Sequence, residues 1–183
     1  MVGRPALGWR AADFDLKGTD SRRYRLADVA GAKGLVVMFI CNHCPYVKAS
    51  IARAVADCRE LQAAGVGAIA VMPNDPVAYP EDSLPRMAEF ARAHDFAFPY
   101  VIDEAQEVAR AYGAACTPEF YGFDGALALR YHGRLDAGGT RDSGAGRGKL
   151  RGEMRDAMLA VARGEPAPGE QAPSIGCSIK WRR

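Results

Sequence analysis

The sequence predicts an α/β protein: a central mixed β-sheet flanked by helices, with a β-hairpin extending it at the N-terminus. Three observations carry this. Short, continuous, β-branched apolar runs alternate with stretches of helical periodicity, as expected of strands buried on both faces and joined by crossover helices. Asp124-Gly125 lies between two strand-like runs, a hairpin signal that puts an antiparallel pair after the alternating part. With 183 residues, 49% hydrophobic and 25% charged, the chain is large enough to bury one core as a single domain over 1–183, with no need of disulfide staples.

In chain order, the first 30 residues are expected to form the preliminary hairpin. "GLVVMFI" (34–40) reads as a buried strand that leads straight into Cys41. After Pro45 the apolar residues Val47, Ile51, Val55, Cys58 and Leu61 recur at threes and fours, a helix stripe that stops near Gly65. "VGAIAVM" (66–72) is a second buried strand. The segment 73–86, rich in Pro, Asp and Asn, reads as a loop, after which "RMAEFARAHDF" is helical and "FPYVID" extended. "EAQEVARAYG" is a short helix with Gly113 as its stop. "EFYGFD" and "ALALRYHG" flank the hairpin turn, and 150–164 is a closing helix with Met154, Met158 and Val161 on one side. Such an order implies parallel central strands and one antiparallel edge. The glycine-rich stretch 133–149 reads as a mobile loop and 165–183 as a proline-broken tail.

Charge and composition exclude some classes of partner. Lys and Arg number 24 against 22 Asp and Glu, a formal +2, so no global field recruits nucleic acid or an anionic membrane. No run of about 18 apolar residues could span a bilayer, and the start lacks the apolar core of a signal peptide, so a cytoplasmic address is expected. Five cysteines, an odd number, argue against a structural disulfide framework and for catalytic or metal-binding thiols.

The pair Cys41 and Cys44, in "FICNHCPYVK", stands where a buried strand hands over to a helix. Ligands in open α/β sheets bind beyond the carboxyl ends of the strands, so the pair is placed for chemistry. Pro45 suits the first helical position and makes Cys44 the N-cap, where unpaired N–H groups and about half a positive charge favour a thiolate. A free cysteine has a pKa of roughly 8.5, and helix N-termini or cationic neighbours bring it to about 3.5–7.5. His43, between the two sulfurs, could supply such a cation.

"CNHCP" after a buried strand, "CTP" (116–118) before the hairpin and the opening "AADFDLKGTDSRRYRLADVAGAKG" together resemble the thioredoxin-like superfamily. The likeness is to its thiol-disulfide oxidoreductases and alkyl hydroperoxide reductase-type (AhpC/TSA) redoxins, and it extends over nearly the whole chain, including the "GCSIKW" tail. It implies a thioredoxin-like fold and thiol-disulfide exchange through Cys41 and Cys44, with no cofactor and no metal. Protein or small-molecule disulfides and a thiol electron donor are the implied partners. By usual family practice Cys41 would attack and Cys44 resolve. Spacing from Phe39, and Pro45 after it, favour Cys44 as the attacking thiolate with Cys41 resolving. In that frame Met38 stands where thioredoxin has its buried proton-accepting Asp, and Glu119 is a candidate substitute, with an exposed edge carboxylate the simpler reading. Thr117-Pro118 resembles the loop that holds a cis peptide beside the disulfide, leaving the Thr117 backbone free to pair with an extended substrate.

Cys58, on the helix stripe, reads as a small core hydrophobe. Cys116 and Cys177 are candidates for additional redox thiols: Cys116 through its nearness to the CxxC pair, Cys177 only if the tail folds back. Two other functions compete with the oxidoreductase. One is a peroxiredoxin-like thiol peroxidase with Cys44 as the peroxide-reducing thiolate, although the PxxxTxxC pattern would need Thr at 41 and Pro at 37, where this chain has Cys41 and Val37. The other is a non-enzymatic copper chaperone with Cys41, Cys44 and a histidine as ligands, although such proteins resemble CxxxC spacing and a membrane-anchored context.

Overall fold

The computed structural model describes residues 5–140 and 150–182. Strand β1 (Asp15–Gly18) and β2 (Arg23–Arg25) form the expected hairpin, Leu16 facing Tyr24. A single turn, α1 (Leu26–Val29), leads into β3 (Gly34–Phe39), and Cys44 opens the long α2 (Pro45–Ala63). Then follow β4 (Val66–Met72), α3 (Leu84–Ala93), β5 (Tyr100–Ile102) and α4 (Glu107–Ala111). Two-residue β6 (Cys116–Thr117) precedes the hairpin of β7 (Glu119–Asp124) and β8 (Leu129–Gly133), and α5 (Glu153–Ala162) and β9 (Cys177–Ser178) complete the order.

The central sheet is mixed. β4 pairs parallel with β5, and β1 adds antiparallel to the far side of β5. β3 lies beside β4: the Lys33 N–H reaches Gly65 O at one end and the Ile40 N–H reaches Val71 O at the other, so the two run in the same direction. β7 pairs antiparallel with β3, and β8 with β7. Antiparallel strands therefore close both sides of a parallel centre, where the sequence suggested one antiparallel edge; the N-terminal hairpin supplies the second by docking on β5.

Successive residues of β3 point to opposite faces, and each face has its own core. Val36, Met38 and Ile40 pack under α2 and α5 with Val47, Ile51, Cys58, Leu61, Met154 and Met158. Leu35, Val37 and Phe39 pack on the other face with Leu26, Val29, Val108 and Tyr112. A strand buried on both sides must be apolar throughout, which is why "LVVMF" shows no alternation. Each such side chain gains about 1.5–3 kcal/mol on burial.

Local departures from expectation have local causes. The segment 73–86 is not all loop: a 3-10 turn spans Pro80–Asp82 and α3 begins at Leu84, Pro85 costing no hydrogen bond in its first turn. The turn after β7 is wider than two residues, because both the Ala126 and Ala128 N–H groups bond Asp124 Oδ1 and Leu127 takes a left-handed φ of 60°. Of the glycine-rich stretch, residues 133–140 are anchored rather than loose, with Leu135 and Asp136 buried and the Met154 N–H on the Leu135 carbonyl. Residues 141–149, the rest of the stretch read as mobile, lie outside the described residues. No helix among the described residues is long and apolar enough to cross a membrane.

Candidate active site

Strand β3 ends at Phe39, and the chain turns through Cys41, Asn42 and His43 before Cys44 caps α2. Cys44 has extended φ and ψ of −65° and 125°, Pro45 fills the first turn, and the Cys44 carbonyl accepts the Lys48 N–H at 3.0 Å. This is the N-cap geometry that Pro45 predicts. The turn is pinned from outside: the Asn42 N–H bonds Asp82 Oδ1 at 2.9 Å, the Asn42 amide reaches Glu81 O, and the Tyr100 hydroxyl donates to Asn42 Oδ1. Both sulfurs of the pair are buried, with no measurable exposure.

The peptide between Thr117 and Pro118 is cis and lies against the cysteine pair. Thr117 Oγ1 is 3.3 Å from Cys41 Sγ, and Thr117 O is 3.1 Å from Cys44 Sγ, where it accepts the S–H of the neutral thiol. The Thr117 edge is not open to a substrate strand, contrary to expectation. The C-terminal segment returns along β8, the Ala172 carbonyl accepting the Arg134 N–H and Ser174 Oγ donating to Gly133 O, and then pairs as β9 with β6. In that register Thr117 faces Cys177, and Cys177 Sγ lies 2.9 Å from Cys44 Sγ. Gly176 is required here, because a Cβ would collide with the Thr117 carbonyl.

Electrostatics separates the thiols. The Cys41 thiol donates to Cys44 and holds its own proton tightly, through that bond, burial and the nearby Asp82 charge, so its pKa is pushed well above the ordinary value. Cys44 moves the other way, to about 4: the Cys41 bond leads, burial opposes it, and the Cys177 thiol and the Val47 N–H add stabilisation. Burial, and hydrogen bonding to Cys44, raise Cys177 to about 11. Among these three, Cys44 is the thiolate at neutral pH.

His43 does not turn between the two sulfurs. Its Nδ1 lies 2.9 Å from Asp82 Oδ2 and its ring stacks on Tyr79 at 5.9 Å between centroids. Asp82 is wholly buried, and the same Oδ2 also accepts the Asn74 amide at 2.8 Å. Cys41 Sγ, His43 Nδ1 and an Asp82 carboxylate oxygen lie within 4.8 Å of one another. That is not the set the copper reading calls for: a hard carboxylate replaces Cys44, and soft thiolates are what select Cu(I).

The remaining cysteines divide. Cys58 is fully buried against Met38, its sulfur 3.8 Å from Met38 Sδ, with its pKa raised by burial. Cys116 points its sulfur toward Pro118 O at 3.9 Å, and burial raises it to about 12. Glu119 is not an exposed edge carboxylate. It is buried in β7, with Oε1 2.7 Å from His132 Nε2 and Oε2 accepting the Ala115 N–H at 2.8 Å. Burial pushes its pKa up, and the His132 and backbone hydrogen bonds outweigh that, so the net direction is down. Sequence reading missed this pair, as it missed Asp82 and the buried ion pair of Arg53 with Asp136 at 2.8 Å. Each joins distant segments, and no local pattern announces it.

No curated protein matches the chain. An uncharacterized conserved protein from Geobacillus kaustophilus is 44% identical, with a TM-score of 0.90 over 97% of this chain and 93% of its own. A hypothetical protein from Sinorhizobium meliloti is 36% identical, also with a TM-score of 0.90, over 98% of this chain and 97% of its own. Peroxidoxin BcpB from Mycobacterium tuberculosis is 16% identical with a TM-score of 0.61 over 86% of this chain and 96% of its own, a likeness of fold alone, and the fold is thioredoxin-like. The AhpC/TSA family model matches residues 7–137, from before the N-terminal hairpin through β8 and past both cysteines of the pair. A thioredoxin-like sheet that sets a cysteine pair at the head of α2 is therefore joined by a sequence match over most of the chain, and the protein belongs to the AhpC/TSA family.

Proposed function

We propose that this redoxin is a thiol-disulfide oxidoreductase in which Cys44 attacks and Cys41 resolves. The observation that carries the reading is the position of Cys44 at the N-cap of α2, where its sulfur receives hydrogen bonds from the Cys41 and Cys177 thiols and its pKa falls to about 4. A cysteine so placed is anionic at neutral pH, and the thiolate is the nucleophile. It displaces one half of a substrate disulfide, forms a mixed disulfide, and is released when Cys41 gives up its proton and attacks the Cys44 sulfur. Thr117, Pro118 and Pro45 position the sulfurs: Pro45 by starting the helix at Cys44, Thr117 by its hydroxyl on Cys41. His43 acts at one remove, through Asp82, rather than as a cation beside Cys44.

Peroxide reduction would use the same thiolate, so one assay series separates the two. Reduced protein is mixed with a small chromogenic disulfide or with hydrogen peroxide, and single-turnover rates are compared for the wild type and for Cys44→Ser. Disulfide cleavage faster than peroxide consumption, and lost in Cys44→Ser, is expected. The reverse preference would make the protein a peroxidase, and an unimpaired Cys44→Ser would remove Cys44 from both schemes.

A further inference from the structure

The third sulfur at the site carries a proposal. Cys177 Sγ is 2.9 Å from Cys44 Sγ, and the backbone, not a loose tail, holds it there. Beyond the β6–β9 pair, the Ile179 N–H bonds Ala115 O at 3.2 Å and the Lys180 N–H bonds Asn74 Oδ1 at 2.9 Å. The Lys180 carbonyl accepts both the Asp75 N–H and the Gln106 amide, each at 2.9 Å, and Arg110 lies over the Trp181 ring. Cys41 and Cys44 are sealed from solvent, whereas Cys177 is partly exposed.

We propose that Cys177 is a second resolving thiol and that the Cys44–Cys177 disulfide is the form on which the external thiol donor acts, with Cys177 as the sulfur it reaches. This rests on the reading of Cys44 as the attacking thiolate.

The Cys44 thiolate attacks a substrate disulfide, whose S–S bond breaks; one half leaves as a thiolate and the other stays on Cys44. Cys177 passes its proton to the departing thiolate and attacks Cys44 Sγ. The second half leaves, and the Cys44–Cys177 bond forms. The substrate has gained two electrons and the two protein thiols have lost them. An external thiolate then attacks Cys177 Sγ, the bond to Cys44 breaks, and Cys44 departs as a thiolate. A second donor thiol attacks the mixed disulfide on Cys177, freeing Cys177, which takes up a proton, and leaving the donor as a disulfide.

Two features make Cys177 the better point of entry for the donor. It is the accessible sulfur of the bond, and attack there expels Cys44, whose pKa of about 4 makes it a far better leaving group than Cys177 at about 11. Cys41, buried on the other side of Cys44, competes for the same mixed disulfide and yields the Cys41–Cys44 bond.

The test uses Cys41→Ser, Cys177→Ser, the double variant and Cys44→Ser. Each reduced protein receives one equivalent of glutathione disulfide, is alkylated in acid, and is mapped by mass spectrometry. Cys41→Ser is expected to release both glutathione halves and yield a Cys44–Cys177 linked peptide, while the double variant keeps glutathione on Cys44. With a dithiol donor, Cys177→Ser is expected to lose roughly tenfold or more in steady-state turnover while Cys44 still attacks in the first turnover and becomes glutathionylated. That surviving first-turnover attack shows that the variant is folded. Glutathione retained on Cys44 in Cys41→Ser, or wild-type turnover in Cys177→Ser, overturns the proposal. First-turnover attack that survives in Cys44→Ser overturns the nucleophile assignment beneath it, and the two failures are told apart by which variant shows them.

Discussion

Thr117 and Cys177 are register partners across the β6–β9 pair, although α5 and the glycine-rich stretch lie between them in the chain. The chain's own C-terminal strand therefore occupies the edge beside the cysteine pair where an extended substrate would bind by strand addition. β9 also sets Cys177 Sγ 2.9 Å from Cys44 Sγ.

Gly176 offers a way to loosen it. A Cβ at this position meets the Thr117 carbonyl and has no room to shift. Gly176→Ala is expected to release β9 and to expose Cys44. Labelling by a bulky thiol reagent should become faster, and reduction of a polypeptide disulfide such as insulin should rise relative to a small disulfide. Unchanged labelling of Cys44 would show that β9 does not cover it.

The thiolate has a titration signature. The ultraviolet absorbance of reduced Cys44 thiolate should be present at neutral pH, persist on acidification, and disappear only around its pKa of about 4. It should be missing in Cys44→Ser. The sign for stability follows: a group depressed below its unfolded pKa of roughly 8.5 contributes stability that is complete above that value and is lost as pH falls through the folded pKa. A thiolate signal that vanishes near pH 8 would contradict the site electrostatics described above.

Glu119 should contribute stability at neutral pH that is lost in acid. Its folded pKa is lowered from 4.5 in net, so its contribution is present above the unfolded pKa and lost as pH falls through the folded one. Glu119→Gln places an amide N–H₂ against the His132 ring or the Ala115 N–H, at a cost of about 1–3 kcal/mol. Urea unfolding should show that deficit at about pH 7 and a smaller one at about pH 3. Equal deficits at both would mean that the carboxylate charge is not what holds the pair.

Arg53 and Asp136 form a two-pronged pair, each 2% exposed, with Arg53 Nε on Oδ2 at 2.8 Å and a second nitrogen on Oδ1 at 3.2 Å. Asp136→Ala leaves the guanidinium without its carboxylate in the interior, which costs about 3–5 kcal/mol. Asp136 also accepts the Gly138 N–H at 2.8 Å, so the start of the glycine-rich stretch should become more sensitive to protease. A loss below about 1 kcal/mol on denaturation would place this pair with ordinary surface ion pairs instead.

The elements that read correctly are those whose signal is local. The apolar run of β3, the stripe of α2 from Val47 to Leu61, and the run of β4 came out within a residue or two, because a strand buried on both faces and a helix with one buried face each impose their period on adjacent residues. Cys44 at the N-cap was legible for the same reason: Pro45 fits the first helical turn and the strand before it ends at Phe39. Cys58 followed from the stripe.

What tertiary structure alone decided is which distant polar and sulfur groups meet. His43 lay between two cysteines in the chain and so read as a neighbour of both, yet its ring turns to Asp82 and Tyr79, brought over by the 3-10 turn that looked like loop. Glu119, just after Pro118, read more simply as an exposed edge carboxylate; β3 on one side and β8 on the other bury it with His132. Cys177 had no spacing by which to be placed. Its contact with Cys44 depends on a tail of low periodicity laid back along β8 and β6 through backbone hydrogen bonds, and a backbone hydrogen bond carries almost no side-chain signature in the sequence. The sequence thus determined the sheet, the helix and the cysteine pair at their junction, since periodicity and capping act between near neighbours. The third sulfur, the covered edge and the buried ion pairs belong to the folded chain, because loop closure over long separations is selected by the whole core and not by the residues that finally touch.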